Sequence, residues 1–233
     1  MTEIVDVSGI GIFNIEKIRA GSTVMIIGRR NTGKTTTALD ILWHNRDIPL
    51  GLIVDGEEEY SRYKQVIPSR FRHEEYNESI PRAVAKRQKA MIRKNDTGVD
   101  TRGFCVLDDC IYLPSWLHNK YIHYILKNRK ELNLLFIVAT IYGYGLTTKS
   151  SDVFDYVFLS IERYPTMLKL IHKQIAPTFL SYEILVALMH CLDWDETKLL
   201  VIDNTTQSQR MEDRIFLFKP TPRPDLRLCD KYK

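Results

Sequence analysis

Gly28, Gly33, Lys34 and Thr35 stand in the order G-x-x-x-x-G-K-[ST], within the stretch "IIGRRNTGKTT". The pattern suits a phosphate chain: two glycines let the backbone turn its N–H groups inward, a lysine supplies a point charge, and a hydroxyl reaches a divalent cation. The expected nucleotide contacts are Gly28, Arg29, Arg30, Asn31, Thr32, Gly33, Lys34, Thr35 and Thr36. A cation so placed needs an acidic partner, and "GFCVLDDC" supplies Asp108 and Asp109 after an apolar run. Asp108 is expected to bind Mg²⁺ with Thr35, and Asp109 to orient or deprotonate an attacking water. A phosphate-transferring kinase would not need that second carboxylate, so the pair points to hydrolysis.

The elements that must hold these residues are legible in the apolar periodicity. Short apolar runs at Thr23 to Ile27, Leu50 to Asp55, Phe104 to Leu107, Leu134 to Thr140, Tyr156 to Ile161 and Leu199 to Ile202 read as strands buried on both faces. Lys34 to His44, Ile80 to Lys94 and Pro114 to Glu131 read as helices between them. This alternation predicts an α/β fold, a mostly parallel sheet flanked by helices, with the phosphate cradle between the first of these strands and its helix. Residues 1–218 are expected to form a single domain, and 219–233, with three prolines, an extended or disordered tail.

Composition bounds the rest. Of 233 residues, 44% are hydrophobic, enough for a full core, and the net charge of +4 is too small to establish nucleic-acid binding unless it clusters. The four cysteines form no C-x-x-C pair, which predicts reduced thiols in a cytosol-like compartment. The opening residues fit neither a signal nor a transit peptide, and no apolar run approaches the roughly 20 residues of a membrane span.

Charge does cluster between Arg82 and Lys94, "RAVAKRQKAMIRK", which has no acid. On a helix, Arg82, Lys86, Lys89 and Arg93 share one edge within about 60°, and Val84, Gln88, Met91 and Ile92 face away. That edge is either a solvated face or a grip on DNA phosphates. Tyr112, Trp116, Tyr121, His123 and Tyr124 fall at near-helical spacing and read as core or subunit contact. Glu57 to Glu59 read as a solvated acidic turn or as part of the nucleotide rim.

The chain resembles the genome-packaging ATPases of large DNA viruses, the poxvirus-type branch of the FtsK/HerA translocases. The resemblance rests on "IIGRRNTGKT", "VDGEEEYSRYKQVIPSRF", "VAKRQKAM", "CVLDDC" and "LLVIDNTTQSQRMEDRIFLFK", and covers almost the whole chain. It implies a RecA-like P-loop ATPase using ATP and Mg²⁺. It also implies a homo-oligomeric ring, a hexamer with a pentamer as the alternative, that moves double-stranded DNA into a preformed capsid through a capsid or portal component. The setting implied is the host cytoplasm or the virion. A catalytically weak, portal-binding scaffold and a small-molecule kinase are the alternatives.

Two departures stand out. Ile141 and Tyr142 follow the strand "LLFIVAT" where the family places a glutamine sensor, and no arginine lies between Arg129 and Arg163 to reach a neighbour's nucleotide. Lys149 lies near the family's arginine position. Arg163 follows the next strand run and should emerge at the same sheet edge as the cradle, with a guanidinium able to bridge two phosphate oxygens.

Overall fold

The computed structural model describes residues 9–56, 61–93, 98–111, 114–141, 153–175, 180–192 and 195–230. The strands are β1 (Gly11–Ile12), β2 (Thr23–Ile27), β3 (Leu50–Asp55), β4 (Arg72–His73), β5 (Gly103–Asp108), β6 (Leu134–Thr140), β7 (Tyr156–Ser160), β8 (Leu199–Asp203) and β9 (Ile215–Phe218). The helices are α1 (Lys34–His44), α2 (Ser79–Ile92), α3 (Lys120–Lys127), α4 (Pro165–Ile175) and α5 (Tyr182–Cys191).

Among the described residues the strands form one sheet in the order β1-β9-β8-β7-β2-β6-β5-β3-β4. Every pairing is parallel except those of β8 with β7 and β9. The central strands β2, β5, β6, β7 and β8 owe their continuous apolar sequences to layers on both faces. Met25 and Ile27 of β2 join the core cluster under α2, α3, α4 and α5. Val24 and Ile26 point the other way, into the cluster that holds Ala38, Leu39, Ile41 and Leu42 of α1. The start of β2 is pinned by Asp155, whose carboxylate accepts from the Thr23 backbone N–H at 2.8 Å and is bridged by Arg129.

Two local outcomes differ from the sequence expectation. The helix expected over Pro114 to Glu131 is a 3₁₀ segment (Pro114–His118) followed by α3. Asn119 divides them: its extended backbone breaks the helical path, and its side chain caps the N–H groups of Tyr121 and Ile122. Helices α4 and α5 and strands β1, β4 and β9 add to the elements expected from periodicity. Residues 219–230, expected as an extended or disordered tail, pack as a strap against α1 and the sheet. Leu226, Leu228 and Cys229 are buried there, and the Leu228 N–H donates to the Val66 carbonyl at 2.8 Å. Asp40 of α1 accepts from the Thr221 N–H at 2.8 Å and from Arg223 at 2.7 Å, while the Arg223 guanidinium stacks over Trp43. All four cysteines are free. Burial pushes the Cys105 thiol up to about 12, which makes it inert.

Candidate nucleotide-binding site

The loop from Gly28 to Gly33 crosses from the end of β2 to the start of α1 and turns twice through left-handed backbone, at Asn31 (φ 63°) and Gly33 (φ 92°). Gly28 packs so closely on β7 that a Cβ there would lie 2.6 Å from Ser160 Cβ and against Ser160 Oγ. The loop is also laced internally. Thr32 Oγ1 donates to the Arg29 carbonyl at 2.8 Å and sits 2.9 Å from Ser160 Oγ.

Lys34 opens α1 and is buried. Its Nζ donates to the Arg29 carbonyl at 3.1 Å and pairs with Asp109 Oδ2 at 2.9 Å. Asp109 follows β5 directly, with φ at 42°, a strained backbone for a residue with a side chain. Asp108 ends β5 beneath it, and its Oδ2 accepts from Thr35 Oγ1 at 2.8 Å and from the Tyr63 hydroxyl at 2.9 Å. Its Oδ1 is buried with no hydrogen-bond partner among the described residues. Burial, with the Asp109 charge next in size, pushes the Asp108 carboxyl up to about 7. A buried carboxylate oxygen without a donor, beside a threonine hydroxyl, fits a hard divalent cation, so Asp108 and Thr35 would hold Mg²⁺.

Lys34, Thr35 and Asp109 border a cleft of about 670 Å³. One side is Arg30 to Thr36 with Arg62 and Asp109, and the other is Asp195 to Thr197 with Lys219, Pro220 and Pro222 of the strap. The volume suits a nucleotide. The residues predicted for the cradle thus come together, with one difference: the Arg29 guanidinium is held aside by Glu162, at 3.2 and 3.0 Å, and stacks over Tyr164. Glu162 also accepts from the N–H groups of Arg163 and Tyr164, each at 2.8 Å, and so ties the cradle to the loop after β7. Arg163 on that loop pairs with Glu196 of the cleft rim at 2.7 Å. Lys149, Tyr142 and Glu57 to Glu59 lie outside the described residues.

Sequence reasoning missed Tyr63, Arg62, Glu162 and the strap. Only the motif-like stretch "SRYKQVIPSRF" signalled the first two, and no periodicity reports where a proline-rich end will lie. Away from the cleft, Arg82, Lys86, Lys89 and Arg93 are exposed along α2 as predicted, while Val84 and Gln88 are buried. Lys120, Tyr121 and Tyr124 of α3 flank this edge, with Lys89 Nζ 4.0 Å from the Tyr124 ring centre. Trp116 is core.

The arrangement matches solved structures. The genome packaging NTPase B204 from Sulfolobus turreted icosahedral virus 2, in complex with AMPPCP, superposes with a TM-score of 0.60 at 16% identity over 87% of this chain and 100% of that one. The chain has the fold of the viral genome-packaging NTPases. The conjugation coupling protein TcpA of pCW3, solved with ATPγS, shares the fold at a TM-score of 0.54, 10% identity, 85% of this chain and 60% of that one. Sequence relatives are proteins of large DNA viruses. Protein L437 of Acanthamoeba polyphaga mimivirus is 27% identical over 222 residues, 91% of this chain and 77% of its own length. Protein 075L of Invertebrate iridescent virus 6 is 28% identical over 212 residues, 89% of this chain and 80% of its own length. No family model matches the chain. No helix among the described residues is long and apolar enough to cross a membrane.

Proposed function

We propose that this chain is a Mg²⁺-dependent ATPase that works as a homo-oligomeric ring, hexameric in our reading, and drives double-stranded DNA into a preformed viral capsid. The observation that carries the reading is the division of labour at the end of β5. Asp108 faces the Thr35 hydroxyl and Asp109 faces the Lys34 ammonium. Mg²⁺ when bound would shield the charge that develops on the phosphoryl oxygens. An arriving phosphate competes for Lys34 and takes the ammonium from Asp109. The carboxylate so released is the base that orients the attacking water and accepts its proton.

The cradle's ties to the loop after β7, through Glu162, support a route by which a change at the nucleotide reaches Arg163 at the rim. Arg163 is our candidate for the cation offered to a neighbouring subunit, with Lys149 the stand-in. The α2 edge of Arg82, Lys86, Lys89 and Arg93 is our candidate for DNA phosphates. Sequence-independent contact of that kind suits a motor that must handle a whole genome. The host cytoplasm is the expected setting.

The test is ATP hydrolysis by purified protein with and without double-stranded DNA and with and without the capsid's portal component. We expect Mg²⁺-dependent turnover that DNA stimulates. Turnover indifferent to DNA at every salt concentration would remove the motor and leave an ATPase. No turnover in any combination would favour the scaffold.

A further inference from the structure

Arg62 and Tyr63 open a 3₁₀ turn, Arg62–Gln65, in the segment between β3 and β4. The two side chains part. Tyr63 is fully buried and its hydroxyl donates to Asp108 at 2.9 Å, while Val66 and Ile67 just beyond it are also buried. The turn is therefore fixed to the core and to the acidic end of β5. Arg62 is thrown outward instead, into the lining of the cleft beside Lys34, Thr35, Thr36 and Asp109. Its Nη1 donates to Thr36 Oγ1 at 2.7 Å.

The cations at this cleft differ in what they hold. Lys34 is paired with Asp109 at 2.9 Å, and Lys219 with Asp195 at 2.9 Å. Arg62 holds a neutral hydroxyl, which engages one of its five N–H donors. A guanidinium is the side chain best shaped to take two phosphate oxygens at once. Resting on the reading of the cleft as an ATP site, we infer that Arg62 is a further nucleotide-binding residue, which closes on the phosphate chain from the turn after β3 with Tyr63 as its anchor. Lys34 must give up a carboxylate to meet phosphate; Arg62 gives up only a hydrogen bond to a hydroxyl. It also supplies in the same chain an arginine at the nucleotide, which the interval from Arg129 to Arg163 lacks.

The test compares wild type, Arg62→Ala and Arg62→Lys by calorimetric titration with ADP and with a non-hydrolysable ATP analogue at several salt concentrations, and by thermal denaturation without nucleotide. A charge-assisted contact to phosphate predicts that Arg62→Ala weakens both ligands by about 10- to 100-fold. Arg62→Lys should fall between, the salt dependence of binding should flatten in Arg62→Ala, and the Tm should stay put because the side chain is exposed. Unchanged affinity in Arg62→Ala, with wild type binding both ligands, overturns the inference and leaves the ATP site standing. Loss of affinity that tracks a lowered Tm assigns Arg62 to the fold and overturns it too. If wild type binds neither ligand, the ATP site itself fails and the inference falls with it.

Discussion

Gly28→Ala is the change whose cost follows most directly from atomic positions. The added Cβ would stand 2.5 Å from Thr32 Oγ1 and 2.6 Å from Ser160 Cβ, and against Ser160 Oγ, where carbon atoms need well over 3 Å. The Thr32 hydroxyl can rotate away, but Ser160 Cβ belongs to the last residue of β7 and moves only with the sheet. Gly28 is not among the residues with positive φ, so alanine meets no left-handed backbone there and crowding is the effect to test. Overpacking of this kind costs about 1–3 kcal/mol. For a chain of this length that lowers the Tm by about 3–10 °C. The loop must also shift away from β7, so nucleotide affinity should drop by about 100-fold. The deciding comparison is between second-site variants. Ser160→Gly removes both the Cβ and the Oγ and should restore stability and binding to Gly28→Ala, with a coupling energy of about 1–3 kcal/mol in the double-mutant cycle. Ser160→Ala leaves the Cβ and should rescue little. Gly33 makes the control: its φ of 92° penalises alanine through conformation, so no partner change should rescue Gly33→Ala. Equal rescue by Ser160→Ala and Ser160→Gly, or a Gly28→Ala protein as stable as wild type, would refute the crowding argument.

Lys34→Ala should abolish tight nucleotide binding, whereas Asp109→Asn should bind and lose turnover by about 100-fold or more; wild-type turnover in Asp109→Asn removes it as the base. Asp108 carries a pH signature. Its carboxyl titrates near 7 in the folded protein against 3.8 for an ordinary aspartate, so the folded state holds the extra proton between these values. The metal-free protein should therefore gain stability as pH falls from 7 towards 4, by up to about 1.4 kcal/mol per pH unit from this group, and Asp108→Asn should flatten that slope. Because a metal needs the ionised form, Mg²⁺-dependent nucleotide affinity should weaken below pH 7, which titration at pH 6 and 8 would show. Reversing Lys86, Lys89 and Arg93 to glutamate should weaken DNA binding regardless of sequence and lower its salt slope while basal ATPase survives; unchanged binding would make the α2 edge a solvated face. If Arg163 acts across a subunit interface, mixed rings of Lys34→Ala and Arg163→Ala subunits should recover activity that neither has alone; full DNA-stimulated activity in Arg163→Ala excludes it.

The strands at the middle of the sheet were legible because burial on both faces leaves no polar alternation to confuse. The runs read at Thr23 to Ile27 and Leu134 to Thr140 match β2 and β6 residue for residue, and Leu50 to Asp55 matches β3 nearer the sheet edge. The direction of β8 was not legible, since an apolar run is the same whichever way it points. The spacing that singled out the cradle, Asp108 and Asp109 picks out residues that the fold places side by side, because a phosphate-binding loop and the strand end beside it are local features. Tyr63, Glu162 and the strap escaped because each acts through a partner far along the chain: Tyr63 on Asp108, Glu162 on Arg29, Arg223 on Asp40. A buried tyrosine or an exposed proline looks ordinary until the fold supplies its neighbour. Asn119 was a local signal that could have been read, as an N-cap inside what otherwise looks like one long helix, and Ser181 was another, capping α5.

The strap has a consequence for how the molecule comes into being. Lys219, Pro220 and Pro222 line the cleft, and β9 just before them gives β1 its place at the edge of the sheet. Both are made after every residue they touch. During synthesis the loop from Gly28 to Gly33 and helix α1 exist long before Pro220 and Pro222 can close over them, so a nascent chain carries a cradle with no far wall. On the reading of the cleft as an ATP site, ribosome-bound intermediates of this chain should hold ATP weakly until the strap docks on Asp40 and Trp43.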